Sequence, residues 1–320
     1  MRNKLQLPML LLDTKLIEIY CNCDDFCKEF EPWYNSKLIC SESGKKPTRT
    51  PGLSLAECMT IMIIYHHSGL KCFQYYYQDV VLKSLKSYFP QAPSYERFVS
   101  LIPRTTVALY MFVNTIRVGE MTGCYFADSK KMPVCDNLRI NNNKVFNDIG
   151  GRSKSSTGWF FGLKMFLVIN AQGQIIKCIV TPANIADNNS SMMKKLFKDL
   201  KGFVFADKGF ISQNVFEFFY EQGLKIVTTI KKNMQSKLRP MMEKLYLKKR
   251  GVIESVNDLL MTLCDVDHTR HRSPINAIAH AYAGVAAYTY LDKLPSIFNK
   301  SSSNLIHNSR YYCSSIIDNP

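Results

Sequence analysis

No stretch of this 320-residue sequence approaches the ~20 consecutive apolar residues that span a bilayer; even Met165 to Ile169 is far shorter. The opening Met-Arg-Asn-Lys leads into an apolar run, Pro8 to Leu12, that Asp13 cuts short, with no small-residue cleavage pattern. A soluble, cytoplasmic protein is expected. The cysteines lack the even count and regular spacing of a secreted framework: there are 11, scattered from Cys21 to Cys313, which fits reduced thiols. Two tight cysteine pairs of zinc-site type are also missing. Cys21, Cys23, Cys27 and the more distant Cys40 form one irregular group, either a metal site or buried, idle thiols. Acidic residues are in short supply, 26 against 41 Lys and Arg, leaving a formal charge of +15.

What is present begins with where that charge lies. Residues 120–290 hold 24 Lys/Arg against 14 Asp/Glu, whereas residues 1–119 hold 14 against 10. A basic excess of this size favours a polyanion, nucleic acid before membrane, since no basic amphipathic helix stands out. Solubility alone also explains a modest excess. With 46% apolar content, the chain can bury one large core or a large and a small one.

The first ~115 residues read as helical. Ser54-Leu-Ala-Glu57 is a capping box ahead of the apolar run Met59 to Ile64, and Ser68-Gly69 stops that helix. A second helix begins near Lys71 and carries Phe73, Tyr75, Tyr76 and Tyr77; a third runs from Ser94 to Ile102. Short helices around a Gly-containing turn suit a helix-turn-helix reader of DNA, or a bundle whose tyrosines are core. His66 and His67 sit in an apolar helix, where packing explains them better than catalysis.

From Thr122 the pattern turns to strand. Cys124 to Asp128 reads as a short strand ending in a carboxylate, followed by a polar loop of about thirty residues. Trp159 to Asn170 and Ile175 to Val180 form a hairpin about Gln172-Gly173, with Trp159 expected in the core and stacking on a displaced base the lesser reading. Asn188 to Leu200 is helical in spacing, and Asp187 before it either caps that helix or supports a nearby site. Gly202 to Ala206 is a strand delivering Asp207, which alone reads as a turn cap. A helix through Val215 to Tyr220, a strand at Leu224 to Ile230 and one helix from about Met241 to Leu263 follow. Ser273-Pro274 starts a last, Ala-rich helix, and a Ser/Asn-rich tail begins near Asn299.

Three antiparallel-capable strands followed by two reached through helical crossovers give the ribonuclease-H-like order, an α/β fold with a mixed five-stranded sheet and flanking helices. That order places the first and fourth strands side by side, so Asp128 and Asp207 become neighbours. Glu254 lies off the apolar stripe of its helix, on a face shared with Arg250 and Asp258. Asp258 itself reads as solvated or paired with a lysine. Three clustered carboxylates repel unless a cation neutralises them, and hard oxygen donors select Mg²⁺ or Mn²⁺. Two such ions suit in-line phosphoryl displacement. Between the last strand and Glu254, Lys231, Lys232, Lys237, Arg239, Lys244, Lys248, Lys249 and Arg250 make either a DNA track or a solvated face. Arg270, His271 and Arg272 divide the same way, between DNA contacts and an exposed loop.

Asp128 in Ala-Asp-Ser-Lys-Lys-Met-Pro-Val-Cys, Asp207 in Ala-Asp-Lys-Gly-Phe, Glu254 in Lys-Arg-Gly-Val-Ile-Glu-Ser-Val-Asn-Asp, and His268-Thr-Arg-His-Arg-Ser-Pro-Ile-Asn276 together resemble bacterial insertion-sequence transposases of the DDE class. Asp24-Asp-Phe-Cys-Lys28 and Tyr95-Glu-Arg-Phe98 extend the likeness to roughly residues 20–297. The resemblance implies that Asp128, Asp207 and Glu254 are catalytic and hold two Mg²⁺ ions, with Mn²⁺ able to substitute and Asp128 bridging both. It implies cleavage at the element's terminal inverted repeats and attack of the freed 3′-hydroxyl on target DNA. Double-stranded DNA would be the partner, with a homodimer on paired ends, no membrane and no small-molecule cofactor, at a bacterial nucleoid. A helical DNA-binding domain over 1–118, a catalytic domain over 119–297 and a flexible polar tail over 298–320 are expected. Arg250 fits the family's Arg place beside the glutamate, whereas Leu247 and Met261 occupy its Tyr and Lys places, with Tyr246 and Lys249 as nearby substitutes. The 47 positions from Asp207 to Glu254 are too few for the strand domain some relatives insert there. Two other readings stay open: a metal-dependent nuclease of the same fold, and a DNA-binding relic without activity.

Overall fold

The computed structural model describes residues 9–38, 52–155, 158–229, 240–267 and 272–298. The chain divides into two compact units, Met1–Ile116 with Thr262–Tyr288, and Arg117–Met261 with Thr289–Pro320.

The first unit is helical. Helix α1 (Met9–Leu38) turns Leu16, Ile19, Cys23, Phe26, Cys27 and Phe30 inward, the three- and four-residue spacing of a buried stripe. Helix α2 (Leu55–His67) is buried on nearly every side and carries the expected capping box, in which Glu57 N–H donates to Ser54 Oγ and Ser54 N–H to the Glu57 carboxylate. Gly69, at φ +69, lies just past its end. Helix α3 (Phe73–Tyr75) passes into a π-helical segment, Tyr76–Ser84. Tyr76 and Tyr77 are core and donate their hydroxyls to the carbonyls of Ile61 and Pro93, while Tyr75 is exposed. Ser94 caps α4 (Tyr95–Leu101), and a 3₁₀ turn at Pro103 joins it to α5 (Thr105–Met111). The run Tyr95–Ile116 is long and apolar enough, by length and composition, to cross a membrane. Phe98, Leu101, Leu109 and Phe112 within it are buried in this unit.

The second unit is built on a six-stranded sheet. Strands β1 (Cys124–Cys135), β2 (Gly151–Ser155), β3 (Gly158–Asn170), β4 (Ile175–Pro182), β5 (Gly202–Ala206) and β6 (Leu224–Thr228) take the order β2-β3-β1-β5-β6, with β4 also on β3. β1, β3 and β4 are antiparallel neighbours, and β5 and β6 add in parallel beyond β1. This is the ribonuclease-H-like arrangement. The sixth strand corrects the expected five. Long β3 offers its outer edge twice, residues 158–162 to β2 and residues 163–169 to β4.

Two further expectations change for the same reason. β1 does not stop at Asp128 but continues to Cys135, because β3 supplies partners along its whole length, including Lys130 opposite Met165 and Met132 opposite Leu163. The loop expected there shrinks accordingly to residues 136–150, which include a 3₁₀ turn (Asn137–Asn142), and β2 follows. Helices α6 (Ser190–Leu196) and α7 (Gln213–Glu221) cover one face, where Met193, Leu196, Phe197, Phe210, Val215 and Phe219 pack on Tyr125, Ala127, Phe166 and Val204. The expected helix over 241–263 is two helices, α8 (Met241–Lys249) and α9 (Gly251–Thr262), parted at Arg250-Gly251. Glycine's poor helix propensity favours the break at that point. Tyr246 of α8 stacks on Phe205 of β5, with ring centroids 5.3 Å apart.

Helix α10 (Pro274–Tyr288) clusters with the first unit, and is continuously buried from Ala279 to Tyr288. His66 of α2 meets the Cys264 carbonyl and lies 4.6 Å from the His280 ring, so His66 and His280 are packing residues.

Candidate active site

The site starts from strand register. β1 and β5 run in parallel with Ala127 opposite Ala206, so the next residue on each chain, Asp128 and Asp207, is delivered to the same edge of the sheet's centre. Asp207 leads into a short 3₁₀ turn but its side chain caps nothing; it accepts a long hydrogen bond, 3.5 Å, from Thr229 Oγ1. Asp128 sits mid-strand, its side chain 22% exposed.

Two groups from the covering elements, Asn257 and Arg250, converge on Asp128. Asn257 Nδ2 of α9 donates to Asp128 Oδ2 at 3.0 Å, and Arg250 approaches Oδ1 at 3.9 Å. The same guanidinium donates to Glu254 Oε1 at 3.1 Å, one helical turn on. Glu254 is thus placed near Asp128 through a shared arginine, and its side chain is 61% exposed. Among the described residues, no three His, Cys, Asp or Glu side chains converge closely enough to hold an ion. Asp258, on the same helix face, lies 3.8 Å from Lys130 of β1, the lysine pairing expected of it.

Burial pushes the Asp128 carboxyl up to about 6, with Asp207 and Asp187 adding repulsion; the Arg250 charge and the Ser129 backbone N–H pull the other way. A carboxyl raised chiefly by burial, with two carboxylates adding to the rise, gains from added positive charge.

Residues 118–274 match the family model of a transposase DDE domain. The chain carries a DDE transposase domain. Over its full extent, 99% of this chain aligns with 82% of a piggyBac transposase, solved as a synaptic complex with hairpin DNA, at 14% identity and a TM-score of 0.39. A comparison with curated proteins finds no match.

DDE domains in general use divalent metal ions. The donors present in this one fit such an ion. Asp128 and Asp207 are hard oxygen donors in adjacent register, and the buried Asn257 Oδ1 beside Asp128 has no hydrogen-bond partner.

Asn257 was not singled out from sequence. Its signal was a polar residue interrupting the stripe Val252, Val256, Leu260, where it is nonetheless buried. Asp187 does not cap the helix after it. Asn189 does, through Met192 N–H, because Lys164 holds Asp187 in a 2.9 Å ion pair. That places Asp187 against Gly209, where an added Cβ would stand 3.0 Å from Asp187 Oδ2.

The family's Tyr and Lys places behave as packing positions: Leu247 is half-buried and Met261 buried. Tyr246 is turned to the sheet, and Lys248 and Lys249 are exposed on the last turn of α8. Arg272 is exposed in the first unit. Lys231, Lys232, Lys237, Arg239 and Arg270 lie outside the described residues. Trp159 corrects a core expectation: it is 51% exposed, because β2 carries the polar residues Arg152 and Lys154 beside it rather than an apolar layer.

Proposed function

We propose that the chain is a transposase that binds the terminal inverted repeats of an insertion sequence, cleaves DNA there and joins the ends to target DNA. The observation that carries this is the delivery of Asp128 and Asp207, within a DDE domain, to adjacent positions on parallel strands. Asp128, Asp207 and, once it turns toward them, Glu254 would hold two Mg²⁺ ions, replaceable by Mn²⁺. When bound, such ions would supply Lewis-acid stabilisation of the attacking and leaving oxygens of a phosphodiester displacement.

The chain's own groups prepare that displacement. Parallel β1 and β5 hold the two aspartates on rigid backbone. Asn257 fixes the rotation of the Asp128 carboxylate through Oδ2. Arg250, already suspended between Asp128 and Glu254, is placed to contact the scissile phosphate once Glu254 turns toward the aspartates. Water attacks first, releasing a 3′-hydroxyl and a 5′-phosphate. The 3′-hydroxyl then attacks a target phosphodiester, so that one bond breaks as one forms.

In this reading the helical residues 1–118 read the element ends and residues 119–297 carry out the chemistry; residues 299–320 of the expected polar tail lie outside the described residues. The cations Lys231, Lys232, Lys237, Arg239, Lys248, Lys249, Arg250, Arg270 and Arg272 bind phosphates. Two chains act on two paired ends, in the cytoplasm at the nucleoid.

The test uses purified protein, Mg²⁺ and labelled DNA carrying the element's end. The expected result is cleavage followed by strand transfer, both lost in Asp207→Asn while DNA binding persists. Near-wild-type cleavage by Asp207→Asn would refute the site. Cleavage without joining would instead identify a nuclease, and binding without either a relic.

A further inference from the structure

We infer that the β2–β3 hairpin is a base-stacking site: Trp159, flanked by Arg152 and Lys154, stacks on an unpaired base of the DNA that the active site cuts. The inference rests on the proposed DNA-processing role and adds a contact that the catalytic residues do not supply.

A single exposed aromatic residue is ordinary. Three observations set this one apart. First, half of the Trp159 side chain is open to solvent, although its strand neighbours Phe160 and Phe161 are buried. Second, Trp159 pairs with Lys154 across the hairpin, and both nearby cations approach its ring: the Arg152 guanidinium carbon lies 5.3 Å and the Lys154 ammonium 5.9 Å from the centroid. An aromatic ring with cations over it combines groups for the two contacts that single-stranded nucleic acid offers, base faces and phosphates. The strand is held as well, since Asn137 Nδ2 donates to the Trp159 carbonyl at 2.7 Å.

Third, the position is in line with the chemistry. Asp128 pairs with Leu167 on β3, and the two-residue alternation of that strand puts Leu167, Met165, Leu163, Phe161 and Trp159 on one face. Leu167, Met165, Leu163 and Phe161 on that face are buried, so the strand sets the spacing of the two points and is not itself an open track; Lys130, opposite Met165, is partly exposed between them. Eight residues of strand separate Leu167 from Trp159, roughly 26 Å at ~3.3 Å each. That is about eight nucleotide steps of ~3.4 Å, so one DNA molecule can reach both points. Inside an intact duplex both faces of a base are stacked, so the ring must meet a base that is unpaired or displaced.

The experiment uses full-length Trp33→Phe protein, in which Trp159 is the single tryptophan. Two probes are compared: a blunt mixed-sequence duplex of about 30 base pairs, several times the length of this face, and the same duplex with a short bulge of unpaired thymines. Binding is followed by anisotropy of a dye on the DNA, and stacking by Trp159 fluorescence. The expected result is strong quenching by the bulged DNA, with affinity for it falling ~10-fold in Trp159→Ala but less than ~3-fold in Trp159→Phe. The blunt duplex should lose less than ~2-fold in either variant, since the exposed indole supports no core. Binding of the bulged DNA without quenching, or an equal loss on both DNAs, would overturn the stacking site and leave the DNA-processing role standing. If neither DNA bound the parent protein, that role would fall and the stacking site with it.

Discussion

Asp128 gathers most of what the site does, and its neighbours divide the work by charge. Arg250 offsets its anion and Glu254 shares that arginine, while Asn257 orients the carboxylate without adding charge. Asn257→Leu keeps the volume and removes the orienting donor. Because groups that orient metal ligands are typically worth 10–100-fold in affinity or activity, this variant should raise the Mg²⁺ concentration for half-maximal cleavage about tenfold or more. Binding of end DNA in the absence of metal should stay unchanged. A Mg²⁺ titration of cleavage checks it, and an unchanged midpoint would mean that Asn257 serves packing alone. Arg250→Ala should act differently: it leaves Asp128 and Glu254 without their shared cation, so Mg²⁺-free DNA binding should weaken as well.

At the scale of elements, the chain order of strands and helices was legible because hydrophobic period, capping box and glycine stops are local signals. The capping box at Ser54 and Glu57 stands as expected, and Ser54→Ala should cost about 1 kcal/mol of stability, measurable by denaturant unfolding. The extension of β1 past Asp128 and the pairing of β2 were not legible. Ser129-Lys-Lys and Gly151-Arg-Ser-Lys have little apolar content, and become strands because β3 presents unfilled backbone partners. The adjacency of Asp128 and Asp207 was readable from strand order. The pairing of Glu254 with Arg250 was readable from their four-residue spacing, whereas the Lys164 clamp on Asp187 and the exposure of Trp159 depend on side chains meeting across elements, and no spacing encodes them.

The helical unit also carries a pH dependence of its own. Burial lowers the proton affinity of His66, which faces His280 and the nearby His67, well below the ordinary histidine value; His280 is lowered likewise, against an opposing pull from Asp265 and Asp267. Both therefore titrate at lower pH when folded than when unfolded, where the value is ~6.5. Below that pH the unfolded chain binds more protons, so stability is full above about pH 7 and declines on acidification. Asp128, raised in the folded state, works in the opposite sense between its unfolded value of ~3.9 and about 6. The comparison that isolates the histidines is wild type against His66→Gln. The wild type should lose more melting temperature between about pH 7.5 and 5.5, and equal losses would refute the assignment.

For the molecule as a whole, an excess of +15 would make the proposed DNA affinity an electrostatic quantity before a structural one. Counterion release sets its size: each phosphate neutralised on duplex DNA adds ~0.9 to the slope of log affinity against log salt. Lys248 and Lys249 stand exposed at the end of α8, on the approach to Arg250. If they contact phosphates, Lys248→Ala with Lys249→Ala should lower that slope by roughly 2 and weaken binding to all sequences alike, since phosphate contacts carry no sequence information. If instead they only solvate a helix face, affinity changes little and the slope stays where it was. Trp159→Ala provides the contrast within the same assay. Stacking releases few counterions, so its loss should shift the affinity for bulged DNA at every salt concentration while leaving the slope intact. The two variants thus separate charge from stacking on one protein.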